Sequence, residues 1–89
     1  MSEPGESPLR FPTDYPVKIV GRPADGFRER VRAVIERHAP GTDPARISER
    51  LSANGNFLSI SCHLHATSRE QVEALVADLK ACEGVMMLL

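Results

Sequence analysis

Two segments with alternating apolar and polar residues flank Asn54 and Gly55, and this arrangement restricts the possible folds more than any other feature of the sequence. An Asn-Gly pair accepts the positive φ angles of a tight turn between antiparallel strands. Residues 45–51 and 57–65 alternate on either side of the pair, as strands with one buried face do. The sequence therefore predicts a β-hairpin at the centre of the chain.

Each strand of this hairpin has an apolar and a polar face. In the first strand, Ile47 and Leu51 lie on the apolar side. In the second strand, the apolar face consists of Leu58, Ile60, Cys62 and Leu64, and the polar face of Ser59, Ser61, His63 and His65. We expect other elements to cover the apolar face and to leave the polar face open.

A predicted helix precedes the hairpin. Over residues 25–39, apolar side chains recur with the 3.6-residue period of one helical face. Pro40 and Gly41 follow and end the helix, because proline cannot donate the next hydrogen bond. On the polar face, Arg32 and Glu36 have the spacing of an ion pair within the helix.

A second predicted helix follows the hairpin. Thr67 and Glu70 have the spacing of a capping box, in which each side chain binds the backbone N–H of the other residue. Gly84 is placed to end this helix. Its apolar stripe consists of Val72, Leu75, Val76, Leu79 and Cys82.

Two outer strands complete the pattern, over residues 15–20 and 85–89. The order is strand, helix, strand, strand, helix, strand, and two right-handed crossovers of this kind interleave into one sheet. We predict an α+β fold, a ferredoxin-like split βαββαβ sandwich with a four-stranded antiparallel sheet and two helices on one face. Residues 9–89 form this single domain. Residues 1–8 contain prolines, glycine and glutamates and are predicted to be a disordered tail.

Charge and cysteine content exclude several classes of function. Eleven basic and twelve acidic residues leave a net charge of −1, so the chain as a whole does not attract nucleic acid or an anionic membrane. No apolar run approaches the roughly 20 residues that cross a bilayer. Cys62 and Cys82 lack a CxxC spacing, and the N-terminus does not have the composition of a signal peptide. We expect a cytoplasmic protein with reduced thiols.

The open sheet face is the candidate surface for a ligand or partner. It gathers basic, hydroxyl and imidazole side chains: Lys18, Arg46, Arg50, Ser59, Ser61, His63 and His65. Single-stranded RNA is read on sheets of this kind by stacking bases on central aromatic residues. Only Phe57, at the margin, could supply such a ring, so RNA binding ranks third among the functions considered.

The sequence predicts no metal, cofactor or catalytic residue. His63 and His65 share a strand face about 7 Å apart, but Cys62 points the other way and the neighbours on that face are cations. Both cysteines fall at positions that face the core, where thiols are inert. Phosphate-binding glycine loops and paired carboxylates are absent from the sequence. We expect a protein that is not an enzyme.

Several short segments in order along the chain resemble one family of small bacterial domains, the YbeD-like proteins. They are Phe11-Pro12-Thr13, YPVKIVG at residues 15–21, RHAPG at 37–41, Asn54-Gly55-Asn56, Ala66-Thr67 and Glu70-Gln71-Val72. The resemblance covers almost everything after the tail. It implies a ferredoxin-like fold akin to ACT regulatory domains, no established catalytic activity, and a regulatory role linked to lipoate metabolism.

The predicted topology places the quoted segments at two poles of the domain. Phe11, Thr13 and His38 belong to one pole. Gly21, Arg22 and Pro23 belong to the other, and they are a candidate effector loop because ACT-like domains bind small effectors near the first strand-to-helix connection.

Three functions follow, in order of preference. The first is a non-enzymatic regulatory or adaptor domain that contacts a protein partner or a second copy of itself through a sheet edge or the open face. The second is a domain that binds a small effector, an amino acid or small carboxylate. The third is RNA binding through Lys18, Arg46 and Arg50.

Overall fold

The computed structural model describes residues 10–89. The predicted tail over residues 1–8, and residue 9 with which the predicted domain begins, lie outside the described residues. The secondary structure elements, in order, are β1 (Thr13–Gly21), α1 (Phe27–His38), a 3-10 helix (Pro44–Arg46), β2 (Ile47–Leu51), β3 (Leu58–Ala66), α2 (Arg69–Ala81) and β4 (Val85–Leu88). The predicted order of strands and helices is confirmed.

The four strands form one antiparallel sheet in the order β2-β3-β1-β4. β1 and β3 are the central pair and stay in register from Thr13 opposite Ala66 to Gly21 opposite Leu58. The buried side chains of both helices join those of one sheet face in a single core. This arrangement is the predicted ferredoxin-like βαββαβ sandwich.

The core is built from the apolar face that the alternation predicted. Leu58, Ile60, Cys62 and Leu64 are each at most 4% exposed. α1 buries Phe27, Val31, Val34 and Ile35 against them, and α2 buries Val72, Leu75 and Leu79. Val76 and Cys82, also predicted for the stripe of α2, are only half-buried and lie at the margin of the core.

The connection between β2 and β3 is longer than the predicted tight turn. Leu51 and Leu58 are the last paired residues, so six residues form the loop. Within it, the Asn54 Oδ1 accepts a hydrogen bond from the Asn56 N–H, and Gly55 has a positive φ, 77°. The type I′ turn that an Asn-Gly pair favours needs positive φ at both central residues, and here the Asn54 side chain organises a wider loop instead.

The N-terminus of α2 lies one residue later than predicted. Ser68 is the capping residue, and its Oγ accepts a hydrogen bond from the Gln71 N–H at 3.1 Å. The Gln71 Oε1 accepts from the Thr67 N–H. The sequence contains two overlapping capping frames, Thr67 with Glu70 and Ser68 with Gln71, and the second is the one used.

β2 is shorter than predicted because the chain first makes a turn of 3-10 helix. Asp43 caps this turn, since its Oδ1 accepts a hydrogen bond from the Ala45 N–H, and Pro44 favours its first position. Arg46 therefore precedes the strand, although its guanidinium still reaches the sheet.

A charged cluster ties α1 to β2. Arg28 and Arg32 both donate to the carboxylate of Glu49, at 2.7 and 2.8 Å. The hydrogen bond from Arg32 is the main reason that the pKa of Glu49 lies below its ordinary value. Arg32 thus pairs across to the sheet and not with Glu36 in its own helix, as the i, i+4 spacing had predicted; Glu36 instead accepts from the Gly41 N–H.

Candidate functional site

The open sheet face brings together the predicted polar side chains. Lys18 lies opposite Ser61, and Arg50 lies opposite Ser59. Because paired residues of antiparallel strands point to the same side, these four share one face, and His63 and His65 continue the row along β3. Both histidines are exposed. The predicted grouping of side chains is present.

The same face also carries an acidic group that the sequence analysis did not place there. Asp14 lies opposite His65 and accepts a hydrogen bond from the Arg46 Nη1 at 3.3 Å. That guanidinium nitrogen also donates to the His63 carbonyl oxygen at 2.9 Å. Arg46 is therefore engaged within the protein, and the face is less basic than the predicted residue set suggested.

The histidine and cysteine side chains of β3 do not converge. Cys62 is buried, and this burial raises the pKa of its thiol above the ordinary value. His63 and His65 point to the opposite face. Within residues 10–89, the structure contains no group of three or more His, Cys, Asp or Glu side chains arranged to hold a metal ion.

The candidate effector loop has little room at its first residue. Gly21 is buried, and a Cβ atom there would lie 2.4 Å from the Gly84 carbonyl oxygen and 2.4 Å from the Phe27 Cζ. The Phe27 ring therefore fills the space in which a ligand would contact Gly21. Arg22 and Pro23 are exposed, and Pro23 borders a small cleft of about 220 Å³.

The predicted pole of Phe11, Thr13 and His38 divides between two separate depressions. His38 lines a cleft of about 650 Å³, hereafter the polar cleft, together with Arg46, His65, Thr67 and Gln71. Phe11 instead lines an apolar groove of about 420 Å³ beside α2. Thr13 begins β1 opposite Ala66, where its Oγ1 donates to the Asp14 carbonyl oxygen.

His38 links the two helices. Its Nε2 lies 2.6 Å from the Asp78 Oδ2 on α2, and its carbonyl oxygen accepts a hydrogen bond from the Gln71 Nε2 at 2.9 Å. The hydrogen bond to His38, with one from Arg37, holds the pKa of Asp78 below its ordinary value. The imidazole therefore has a structural partner as well as a position on the wall of the polar cleft.

The last strand carries an apolar edge, which the sequence analysis did not assign as a contact surface because it interpreted Met86 and Met87 as core or interface filler. Met86, Met87 and Leu89 are 53%, 50% and 67% exposed. Leu89 exchanges two backbone hydrogen bonds with Lys18, so the N–H and C=O of Leu88 point away from β1, toward the outside of the sheet. The sequence signal was present in the last five residues, which are apolar on both sides of a strand and so cannot all face the core.

Among the described residues, the hydroxyl groups that bond to another side chain, those of Ser52 and Thr67, bond to the amides of Asn54 and Gln71. What the domain does offer is a sheet with an apolar edge, an open mixed-charge face, the polar cleft and the apolar groove. No helix within residues 10–89 is long and apolar enough to cross a bilayer.

The order of the elements and the strand order of the sheet define the chain as a small α+β domain with a ferredoxin-like, ACT-like fold. The ACT domain from the GTP pyrophosphokinase of Chlorobium tepidum superposes with a TM-score of 0.65 over 86% of this chain and 97% of that one, at 20% identity. Protein HP0495 from H. pylori superposes with a TM-score of 0.78 over 100% of this chain and 93% of its own, at 11% identity. At these identities the similarity establishes the fold alone.

Sequence comparison establishes the family. The family described as "Protein of unknown function (DUF493)" matches residues 6–89, and the chain belongs to it. A UPF0250 protein from Ectopseudomonas mendocina is 44% identical over 82 residues, which cover 91% of this chain and 89% of the relative. A UPF0250 protein from Nitrosomonas europaea is 38% identical over 94% of this chain and 97% of the relative. The resemblance to the YbeD-like proteins is thereby confirmed.

Proposed function

We propose that this protein is a non-enzymatic regulatory or adaptor module that acts in the cytoplasm through protein–protein contacts, with the β4 edge as the contact surface. The favoured occupant of this edge is a second copy of the chain. The proposal rests on one observation. Along the β4 edge, three apolar residues are each at least half exposed: Met86, Met87 and Leu89.

Three physical properties of the β4 edge favour association with a partner. Exposed apolar side chains favour association because burial removes them from water, at about 25 cal/mol per Å². The outward N–H and C=O of Leu88 can form hydrogen bonds with another strand, as exposed sheet edges do when two chains associate. Methionine side chains adapt their shape to the surface that they contact. The contact is short, and we expect a dissociation constant in about the micromolar range.

The first prediction concerns the mass of the protein in solution. Light scattering and sedimentation of the full chain should show twice the mass of one chain at high protein concentration. Met86→Lys should raise the dissociation constant at least about tenfold, because it places a charge in the apolar contact. Leu51→Lys is the matched control: Leu51 is 54% exposed, as Met86 is 53%, but it lies on the opposite edge strand.

The control variant should form dimers as the wild type does. A wild type that is monomeric at every concentration and captures no partner protein would refute the proposal. A dimer that Leu51→Lys disrupts and Met86→Lys leaves intact would refute the choice of edge.

A second candidate function is the binding of a small effector, an amino acid or small carboxylate, and the polar cleft favours it. This cleft has the volume of a ligand site, and its wall carries the Arg46 guanidinium, which has N–H donors besides the Nη1 that binds Asp14 and the His63 carbonyl oxygen. An effector at a hundred times its dissociation constant stabilises the folded state by about 2.7 kcal/mol. A thermal-shift screen of amino acids, small carboxylates and lipoate should then raise the melting temperature, and no shift with any of them would exclude this class of ligand.

A further inference from the structure

The apolar groove lies between α2 and the first half of β1. Phe11 and Tyr15 supply one wall and Val72 and Val76 the other, within a volume of about 420 Å³. Phe11, Tyr15 and Val76 are half-buried, so the groove exposes apolar surface that the core does not use. Arg69 and Lys80 stand on its rim.

The neighbouring edge of β1 has no strand beside it in the described part of the chain. On this side, β1 pairs from Gly21, opposite Val85, to Lys18, which exchanges two hydrogen bonds with Leu89. In residues 10–89, no strand therefore covers this side of β1 from Thr13 to Val17. The groove lies beside this stretch of β1, since Tyr15 lines it.

The backbone groups on this uncovered edge can be identified. Lys18 directs its N–H and C=O toward β4, and the direction alternates along a strand. Asp14 therefore presents an N–H and a C=O outward, and Pro16 presents a C=O only, because proline has no N–H. An added strand could bond to the Asp14 N–H, to the Pro16 C=O and to the Asp14 C=O, which also accepts a hydrogen bond from the Thr13 Oγ1.

The dimensions fit an extended peptide of about five residues. Arg69 and Lys80 are eleven residues apart on α2, a separation of about 16 Å along the helix axis. Five residues of extended chain span about the same length. Alternate side chains of such a strand would point toward α2, into the groove, and the others toward the open sheet face.

The charged residues on the rim favour a peptide with acidic residues near its two ends. Arg69 lies at the start of α2 and Lys80 near its end, with one acidic rim residue, Glu73, between them. Carboxylates near the two ends of a bound strand would meet these cations, and apolar side chains would fill the stretch between them. A peptide with basic flanks would lack both interactions.

We propose that this groove and the adjoining β1 edge bind an extended segment of a partner protein, with apolar residues at alternate positions and acidic residues at the flanks. The inference rests on the proposed function in that it assigns a second contact surface to the same interaction module. The two surfaces differ in what they bind: the groove binds a peptide segment of another protein, whereas the β4 edge binds a second copy of the chain.

The test is selection from a display library of random twelve-residue peptides against the full chain. Enriched peptides should show the alternating apolar pattern with acidic flanks and should bind less tightly as salt rises. Ala77 is exposed and lines the groove, so Ala77→Glu places a carboxylate there and should weaken the binding of the selected peptides at least about tenfold. Ala74→Glu is the matched control, because Ala74 is an exposed alanine of the same helix that does not line the groove.

Amide hydrogen exchange adds a measurement that reports where the peptide binds. The Asp14 N–H points outward, so a bound strand should slow its exchange, whereas a peptide elsewhere on the domain leaves it unchanged. Selected peptides that bind the Ala77→Glu variant as tightly as the wild type, or that leave the Asp14 amide unprotected, would overturn the proposal, as would a library without enriched peptides. The dimer experiment measures the mass of the protein, and the peptide experiments measure peptide affinity and amide protection. A negative result for one proposal therefore leaves the other unaffected.

Discussion

Gly21→Ala should destabilise this domain by about 3 kcal/mol or more, out of a total stability of about 4 to 13 kcal/mol for a chain of this length. The added Cβ would lie 2.4 Å from the carbonyl oxygen of Gly84 and 2.4 Å from the Phe27 ring. The carbonyl belongs to the backbone immediately before β4, and the ring is fully buried. Neither can move aside without disturbing the sheet or the core.

Urea denaturation followed by circular dichroism measures this loss. Gly41→Ala is the matched control, since nothing lies within 4 Å of its added Cβ. The control strains only the backbone, which has a φ of 77° there, and should cost about 1 kcal/mol. Equal losses in the two variants would show that the packing around Gly21 is looser than described.

This prediction bears on the candidate effector loop. If Gly21 were present to let a ligand approach the backbone, alanine would lower affinity and leave the fold intact. The structure assigns Gly21 a packing role, because α1 and β4 both approach it within the distance that a side chain would occupy. We therefore expect loss of stability in the absence of any ligand.

Phe27→Ala should have an effect of similar size, a loss of about 3 to 5 kcal/mol. Phe27 is 0% exposed, it begins α1, and its ring contacts the positions of both Gly21 and Gly84. Removing the ring leaves a cavity where α1, β1 and the start of β4 meet. Phe27→Leu retains most of the buried volume and should cost less than about 1.5 kcal/mol.

Combining the two substitutions tests the contact directly. In the Gly21→Ala/Phe27→Ala double variant, the new methyl group enters the space that the ring has left. The double variant should therefore be at least about 0.5 kcal/mol more stable than the sum of the single losses predicts. Strict additivity, measured by urea denaturation, would show that the ring and Gly21 do not interact.

The fold was predictable from the sequence because its signals are local and agree with one another. Alternation around Ile60 indicated a strand with one buried face, and the spacing of Phe27, Val31 and Ile35 indicated a helix. The predicted ends of helices and strands were less accurate where two sequence signals compete for the same position. Thr67 and Ser68 both qualify as caps, and the residue that the chain uses depends on tertiary contacts of Gln71, which also binds the carbonyl oxygen of His38.

The candidate surfaces were harder to predict because they depend on residues far apart in the sequence. The Arg46 guanidinium is engaged by Asp14, 32 residues away, and by the His63 carbonyl oxygen. The apolar groove forms where Phe11 and Tyr15 meet residues of α2 far along the chain, and periodicity within one element does not report such a contact. The apolar edge of β4 was readable in its composition, but its exposure required the strand order of the sheet.

Hydrogen exchange at the β4 edge tests the central claim most directly. The Leu88 N–H points outward from the sheet, as does the Glu49 N–H on the opposite edge strand, β2. If copies of the chain associate through β4, raising the protein concentration through the dissociation constant should slow exchange of the Leu88 amide at least about tenfold and leave the Glu49 amide unchanged. A Leu88 exchange rate that is independent of concentration in a protein shown to dimerise would contradict association through this edge.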